Sequence, residues 1–132
     1  MLLPLRYRRV WLVLFWLCAA LIAGGSLLPE PMLPEAPAGT DKLEHFVAYL
    51  ALTLLGVGLV RRSAVGRVAM FVFAFGASLE VAQGLLAEDR IADWYDLAAN
   101  AAGVTLAAWF GCRGGAGWAA RFEARLLEWR RR

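Results

Sequence analysis

Residues 10–28, VWLVLFWLCAALIAGGSLL, run for nineteen positions without a charge, and Arg6, Arg8 and Arg9 stand just before them. At a rise of ~1.5 Å per helical residue this stretch covers about 28 Å, the thickness of the hydrocarbon core of a bilayer. It reads as a membrane-spanning helix. A basic stretch leading into an apolar run also describes a signal peptide. However, no A-x-A cleavage pattern directly follows Ala23, and Phe15-Trp16-Leu17 before Cys18 is too bulky for a lipoprotein signal. The span is expected to be retained as an anchor.

Outward from this span, PEPMLPEAPAGT (29–40) holds four of the chain's five prolines, which disfavours helix and predicts an extended loop outside the bilayer. Three further spans are expected, at about 41–60, 67–87 and 93–112. Thr40 or Asp41 is placed to cap the second, with Glu44 as a capping-box partner or first-turn carboxylate. Arg61, Arg62 and Arg67 bracket the turn between the second and third spans, and an acidic loop, Glu88 to Asp93, precedes the fourth. That fourth span is rich in small residues (Ala98, Ala99, Ala101, Ala102, Gly103, Ala107, Ala108). Between lipid-embedded helices, close backbone approach takes over the role that hydrophobic burial plays in water, so this helix should pack against its neighbours. A last helix, about 118–131, carries Trp118, Phe122, Leu126 and Trp129 on one stripe with arginines elsewhere, the pattern of an amphipathic helix lying in the membrane interface. A solvated helical tail is the plainer alternative.

At 132 residues and 61% hydrophobic, the chain has room for one domain, an all-α four-helix transmembrane bundle with the bilayer as its main solvent. A net charge of +3 suggests nucleic acid only until the charges are placed. The N-terminal arginines, the Arg61–Arg67 turn and the tail hold twelve of the fourteen basic residues and just Glu123 and Glu128 among the acids. The opposite ends of the spans hold Lys42, Arg90 and the other nine acids. Since Lys and Arg accumulate on the cytoplasmic side, both termini are expected there. Cys18 and Cys112 fall at different depths, so no disulfide is expected.

Ionisable groups in a span are costly and tend to face the bundle interior or a water-filled cavity. Asp41, His45 and Tyr49 share one helical face, as do Glu80 and Gln83, and Asp93, Asp96 and Asn100. Counted at ~1.5 Å per residue, Tyr49, Glu80 and Asn100 reach a common depth roughly 10–12 Å below the outer boundary, with His45, Gln83 and Asp96 above them. One shared cluster open to the outside is therefore expected.

The stretches D-K-x-x-H-F-x-x-Y (Asp41, Lys42, His45, Phe46, Tyr49), E-x-x-Q (Glu80, Gln83) and R-x5-D-x3-N-x2-G (Arg90, Asp96, Asn100, Gly103) resemble the VanZ-like membrane family over about residues 41–111. The resemblance implies a small multi-pass protein of the bacterial cytoplasmic membrane. The family is named for a member associated with teicoplanin resistance, and the resemblance carries over no biochemical activity. It points to envelope homeostasis or glycopeptide-type resistance as the setting.

Three readings of the cluster remain open at this stage. Asp41, His45, Tyr49, Glu80, Gln83, Arg90, Asp96 and Asn100 bind a polar or cationic group of an outer-leaflet envelope precursor, with Arg90 and Lys42 available to a phosphate or carboxylate. Alternatively, they hydrogen-bond one another and lock the helices, and the protein acts through another membrane protein. Or His45 with Glu80 or Asp96 supplies acid–base catalysis to a membrane-embedded hydrolase. A single histidine and two distant cysteines offer no dedicated metal set, so no metal or cofactor is expected, although Asp41, Glu80 and Asp96 with His45 form a set able to hold a divalent cation. The bilayer is the expected partner and nucleic acid is not.

Overall fold

The computed structural model of the protein describes residues 2–28, 40–86 and 93–129. Five helices run in the order α1 (Arg8–Leu27), α2 (Thr40–Gly58), α3 (Val65–Leu86), α4 (Trp94–Phe110) and α5 (Trp118–Trp129). A single 3-10 turn, Arg62–Ala64, leads into α3, and a bent segment, Gly111–Gly115, joins α4 to α5. The architecture is all-α, with one isolated antiparallel bridge between Leu2 and Val60. The proline-rich loop and Arg90 lie outside the described residues.

Two stretches, Arg8–Leu27 and Arg62–Leu85, are long and apolar enough to cross a membrane. The other two expected spans do not reach the same standard. The helix α2 carries Asp41, Lys42 and Glu44 near its start, and the described part of α4 is 17 residues long. In α1 only 11% of the apolar window is buried, so it is not wrapped as the core helix of a water-soluble domain would be. Val13, Trp16, Leu17 and Leu21 on α1, Met70, Phe71 and Val81 on α3, and Leu106 and Trp109 on α4 point outward.

The helix α2 is the centre of the bundle and touches every other helix. Its C-terminal half buries Leu52, Thr53, Val57 and two glycines. Its closest partner is α4, and Gly103 explains why. A Cβ there would run into the Phe46 carbonyl and lie 2.9 Å from the Leu50 nitrogen, so only glycine lets the two backbones meet. Against α3 the buried Tyr49 ring fills the space over Gly76, where a Cβ would lie 2.6 Å away. Phe15 of α1 packs on Gly56, 3.2 Å from where a Cβ would stand.

The end of the bundle that holds Gly58 is closed by the N-terminal segment and α5. The last carbonyls of a helix lack intrahelical donors. Here Leu54 O accepts from Trp118 Nε1 at 2.8 Å and Val57 O from the Gly117 amide at 3.0 Å. Glu123 ties down the segment that leads into α1. Its carboxylate accepts from the Arg6 amide at 2.8 Å, the Tyr7 amide at 3.0 Å and Trp11 Nε1 at 2.8 Å. Trp11 also meets Trp118 and Phe122 edge to face, at 5.3 and 6.2 Å between ring centroids. The left-handed backbone at Gly114 (φ 107°) and Gly117 (φ 71°) turns the chain back, and Arg121 donates to the carbonyls of Gly114, Gly115 and Ala116 to hold that turn.

The last helix therefore leaves most of its apolar stripe unburied. Ala119 and Glu123 are the buried positions of α5, whereas Phe122, Leu126 and Trp129 remain exposed. The small Ala119 allows close approach to the bundle, and Glu123 is drawn in by three donors that nothing else serves.

Candidate functional site

At the opposite end, α2, α3 and α4 each contribute polar side chains to one cluster. Asp93 caps α4 by accepting from the Tyr95 amide at 2.8 Å, a standard role for Asp before a helix. That amide, followed by the Lys42 ammonium, holds the Asp93 carboxyl below the usual carboxylate range. One turn into α4 stands Asp96, and a further turn down is Asn100, fully buried.

Three carboxylates surround the Lys42 ammonium: Asp41 at 2.8 Å, Asp93 at 3.1 Å and Asp96 at 3.4 Å. This ties the start of α2 to the start of α4 at the mouth of the cluster. Below it, His45 Nδ1 lies 3.0 Å from Asn100 Oδ1 and 3.4 Å from Glu80 Oε1. The His45 ring stacks over Tyr49, with centroids 6.3 Å apart. Exposure falls along this path from 55% for the Asp41 side chain to 15% for Asp96 and 7% for Glu80. The group grades from a solvated mouth to a dry floor.

The structure brings Asp41, His45, Tyr49, Glu80, Asp96 and Asn100 into this group. Gln83 goes elsewhere: its amide donates to the Ser26 carbonyl at 2.7 Å, near the end of α1. The E-x-x-Q spacing put Gln83 on the Glu80 face, but one helical turn carries it past α2 and toward α1. Tyr49 is buried, 1% exposed, whereas Trp94 and Tyr95 at the start of α4 are exposed. Asp41 is not a cap either, because α2 already includes Thr40 and the Asp41 carboxylate is engaged by Lys42.

Two participants stand outside the expected binding set. The sequence offers Lys42 to an incoming anion, and places Asp93 only on the face of Asp96 and Asn100. The signal that pointed to them was the excess of acids at this end, since a lone lysine among nine carboxylates should find several of them.

Chemically, the arrangement offers carboxylates in excess. Lys42 is already shared among three acids, so it is a poor receptor for an incoming anion. Ring nitrogen, amide oxygen and carboxylates present lone pairs to the interior of the group. Such a set suits a cation or a group rich in hydrogen-bond donors. Ser78, the hydroxyl on α3 nearest in sequence to Glu80, donates to the Phe75 carbonyl at 2.7 Å in its own helix, and so supplies no nucleophile here.

No family model, curated protein or solved structure matches the chain. Its geometry therefore carries the functional reading alone.

Proposed function

We propose that the protein is a four-span protein of the bacterial cytoplasmic membrane, VanZ-like in type, with both termini inside. In this reading its outward polar cluster binds an amine-bearing group of a cell-envelope component. The observation that carries this is the graded acidic path from Asp41 and Asp93 down to Glu80 and Asn100. Polar groups placed in an apolar bundle are costly, and a mouth bearing more carboxylates than cations attracts positive charge.

Several features support the membrane setting. The outward-facing apolar side chains of α1, α3 and α4 form a surface suited to lipid. The arginines gather at the end where α5 packs. In that orientation Phe122, Leu126 and Trp129 dip into the inner interface while the arginines meet anionic headgroups. The four helices α1 to α4 are the spans. The 17 residues of α4 extend about 25 Å, slightly short of the hydrocarbon core, a mismatch that local thinning accommodates at modest cost.

A second reading rests on a specific observation. The Lys42 contacts with Asp93 and Asp96 and the His45–Asn100 hydrogen bond all join α2 to α4, the pair that already packs most closely. A cluster serving only to lock these helices would make the same contacts, each worth about 0.6–2 kcal/mol.

Native mass spectrometry of the full chain released from its own membranes separates the two. Retention of an amine-bearing envelope component by the wild type, and its loss in Asp41→Asn/Asp93→Asn with helicity and unfolding midpoint little changed, is the expected result. No retained component, together with a large fall in midpoint, supports the lock. Labelling of Glu35→Cys but not Ser63→Cys by an impermeant maleimide in intact cells, in a background lacking Cys18 and Cys112, tests the orientation.

A further inference from the structure

The deep half of the cluster has the geometry of a metal site. His45, Glu80 and Asp96, one each from α2, α3 and α4, bring their ligand atoms within 4.8 Å of one another. A second observation is independent of that grouping. Asn100 is fully buried, its amide turns into the same group, and its Nδ2 has no hydrogen-bond partner. Leaving a buried N–H without a partner costs about 1–3 kcal/mol. The amide is oriented so that its oxygen, not its NH2, faces His45.

The consequence is a convergence of lone pairs. His45 Nδ1 faces Asn100 Oδ1 at 3.0 Å and Glu80 Oε1 at 3.4 Å. An imidazole nitrogen carries at most one proton, so a single N–H cannot serve both oxygens in line. A cation at the point of convergence engages both oxygens and the nitrogen together. Donor atoms held about 2.0–2.2 Å from a metal, at octahedral to tetrahedral angles, lie roughly 3.0–3.6 Å apart. The two measured spacings fall in that range.

We propose that His45, Glu80, Asp96 and Asn100 bind one divalent transition cation of the Zn2+ or Mn2+ class. One imidazole with two carboxylates and an amide oxygen is a mixed nitrogen and oxygen set, which suits these ions better than Ca2+ or Mg2+. A divalent ion brings two positive charges to the Glu80 and Asp96 carboxylates. Asp96 also reaches the Lys42 ammonium through Oδ1 at 3.4 Å, whereas Asp41 and Asp93, the closer partners of Lys42, are not part of the proposal. The site belongs to the same cluster as the proposed function and adds its inorganic partner. It rests on the donor geometry, and it stands even if no envelope component binds.

The test uses the full chain in detergent, stripped with chelator and then titrated with Zn2+ or Mn2+ by calorimetry, with metal content measured by mass spectrometry. About one ion per chain is expected, with affinity at least tenfold weaker in Glu80→Gln and in Asp96→Asn. Glu44→Gln, an exposed carboxylate nearby that is not a donor, should bind as the wild type does. In the Co2+ form, His45→Gln should shift the visible absorption by removing its nitrogen ligand. Uptake well below one ion per chain, or wild-type affinity in the Glu80→Gln/Asp96→Asn double variant, overturns the proposal. If the carboxylate variants fail to fold, Asn100→Asp decides: the added charged donor should tighten binding several-fold, and unchanged or weaker binding overturns it. Repeating the envelope-component measurement on metal-stripped protein separates failure of this site from failure of the ligand reading.

Discussion

Each end of the bundle buries a glutamate, and the two are treated in opposite ways. Glu123, beside the N-terminal segment, is 5% exposed and Glu80, in the polar cluster, 6%. Glu123 accepts from two backbone amides and an indole, all within 3.0 Å. Glu80 faces the His45 imidazole nitrogen at 3.4 Å, beside the Asn100 side chain. A carboxylate whose lone pairs are met by fixed backbone donors is held firmly in its charged form. Comparable burial thus accompanies two environments: one carboxylate is met by main-chain donors, the other by titratable and amide side chains.

The largest expected effect follows from removing the satisfied partner. Glu123→Ala should destabilise the protein by about 2–4 kcal/mol, since it strands the Arg6 and Tyr7 amides and the Trp11 indole; equilibrium unfolding in mild detergent measures this. A loss under half a kcal/mol would mean that Glu123 is as dispensable as Glu80, and the contrast would collapse. Next is Gly58→Ala, whose Cβ would lie 2.5 Å from Trp118 Nε1. Displacing that ring should cost about 1–3 kcal/mol and red-shift tryptophan emission. Trp118→Phe keeps a ring but loses the bond to the Leu54 carbonyl, at about 1 kcal/mol. The smallest effect on stability belongs to Glu80→Gln. It is near in shape and removes a poorly paired charge, so the midpoint should move by less than about 1 kcal/mol while metal and ligand binding are lost.

Acid should distinguish the two ends as well. Desolvation works to raise the Glu123 pKa, but the amides of Tyr7 and Arg6 and the Trp11 indole outweigh it, and the folded value lies below the ordinary one. Such a group contributes stability that is fully present above the unfolded glutamate value, about 4.3, and is lost as pH falls through the lowered folded value. Between about pH 5 and 3 the wild type should lose stability that Glu123→Gln has already lost. Parallel pH profiles of the two proteins would remove Glu123 as an acid sensor.

Much of the helical layout was readable from apolar runs and breakers. The stretch from Val10 onward, the prolines at 29–37 and the arginines at 61–67 mark the helix ends to within a few residues. The meeting of Asp41, His45, Glu80, Asp96 and Asn100 was legible for a physical reason: equal depth on neighbouring helices follows from a fixed rise per residue. Direction about the helix axis was not. Gln83 shares a face with Glu80 in projection, yet the crossing of α1 over α3 captures it. Nor could sequence reveal Glu123, because its partners lie more than a hundred residues away and two of them are backbone amides, which carry no sequence signature. Of the apolar stripe on α5, Trp118 docks beside Ala119 and Glu123, whereas Phe122, Leu126 and Trp129 stay exposed.

The Glu123 clasp also bears on the order of assembly. Its hydrogen bond to Arg6 spans 117 residues, so the segment leading into α1 stays without its carboxylate partner until α5 has been made. The helices can form one after another, but the clasp between the N-terminal segment and α5 closes late. Anything that holds α5 away, whether a bulky fusion or a binding partner, would leave the helices formed and yet unlatched.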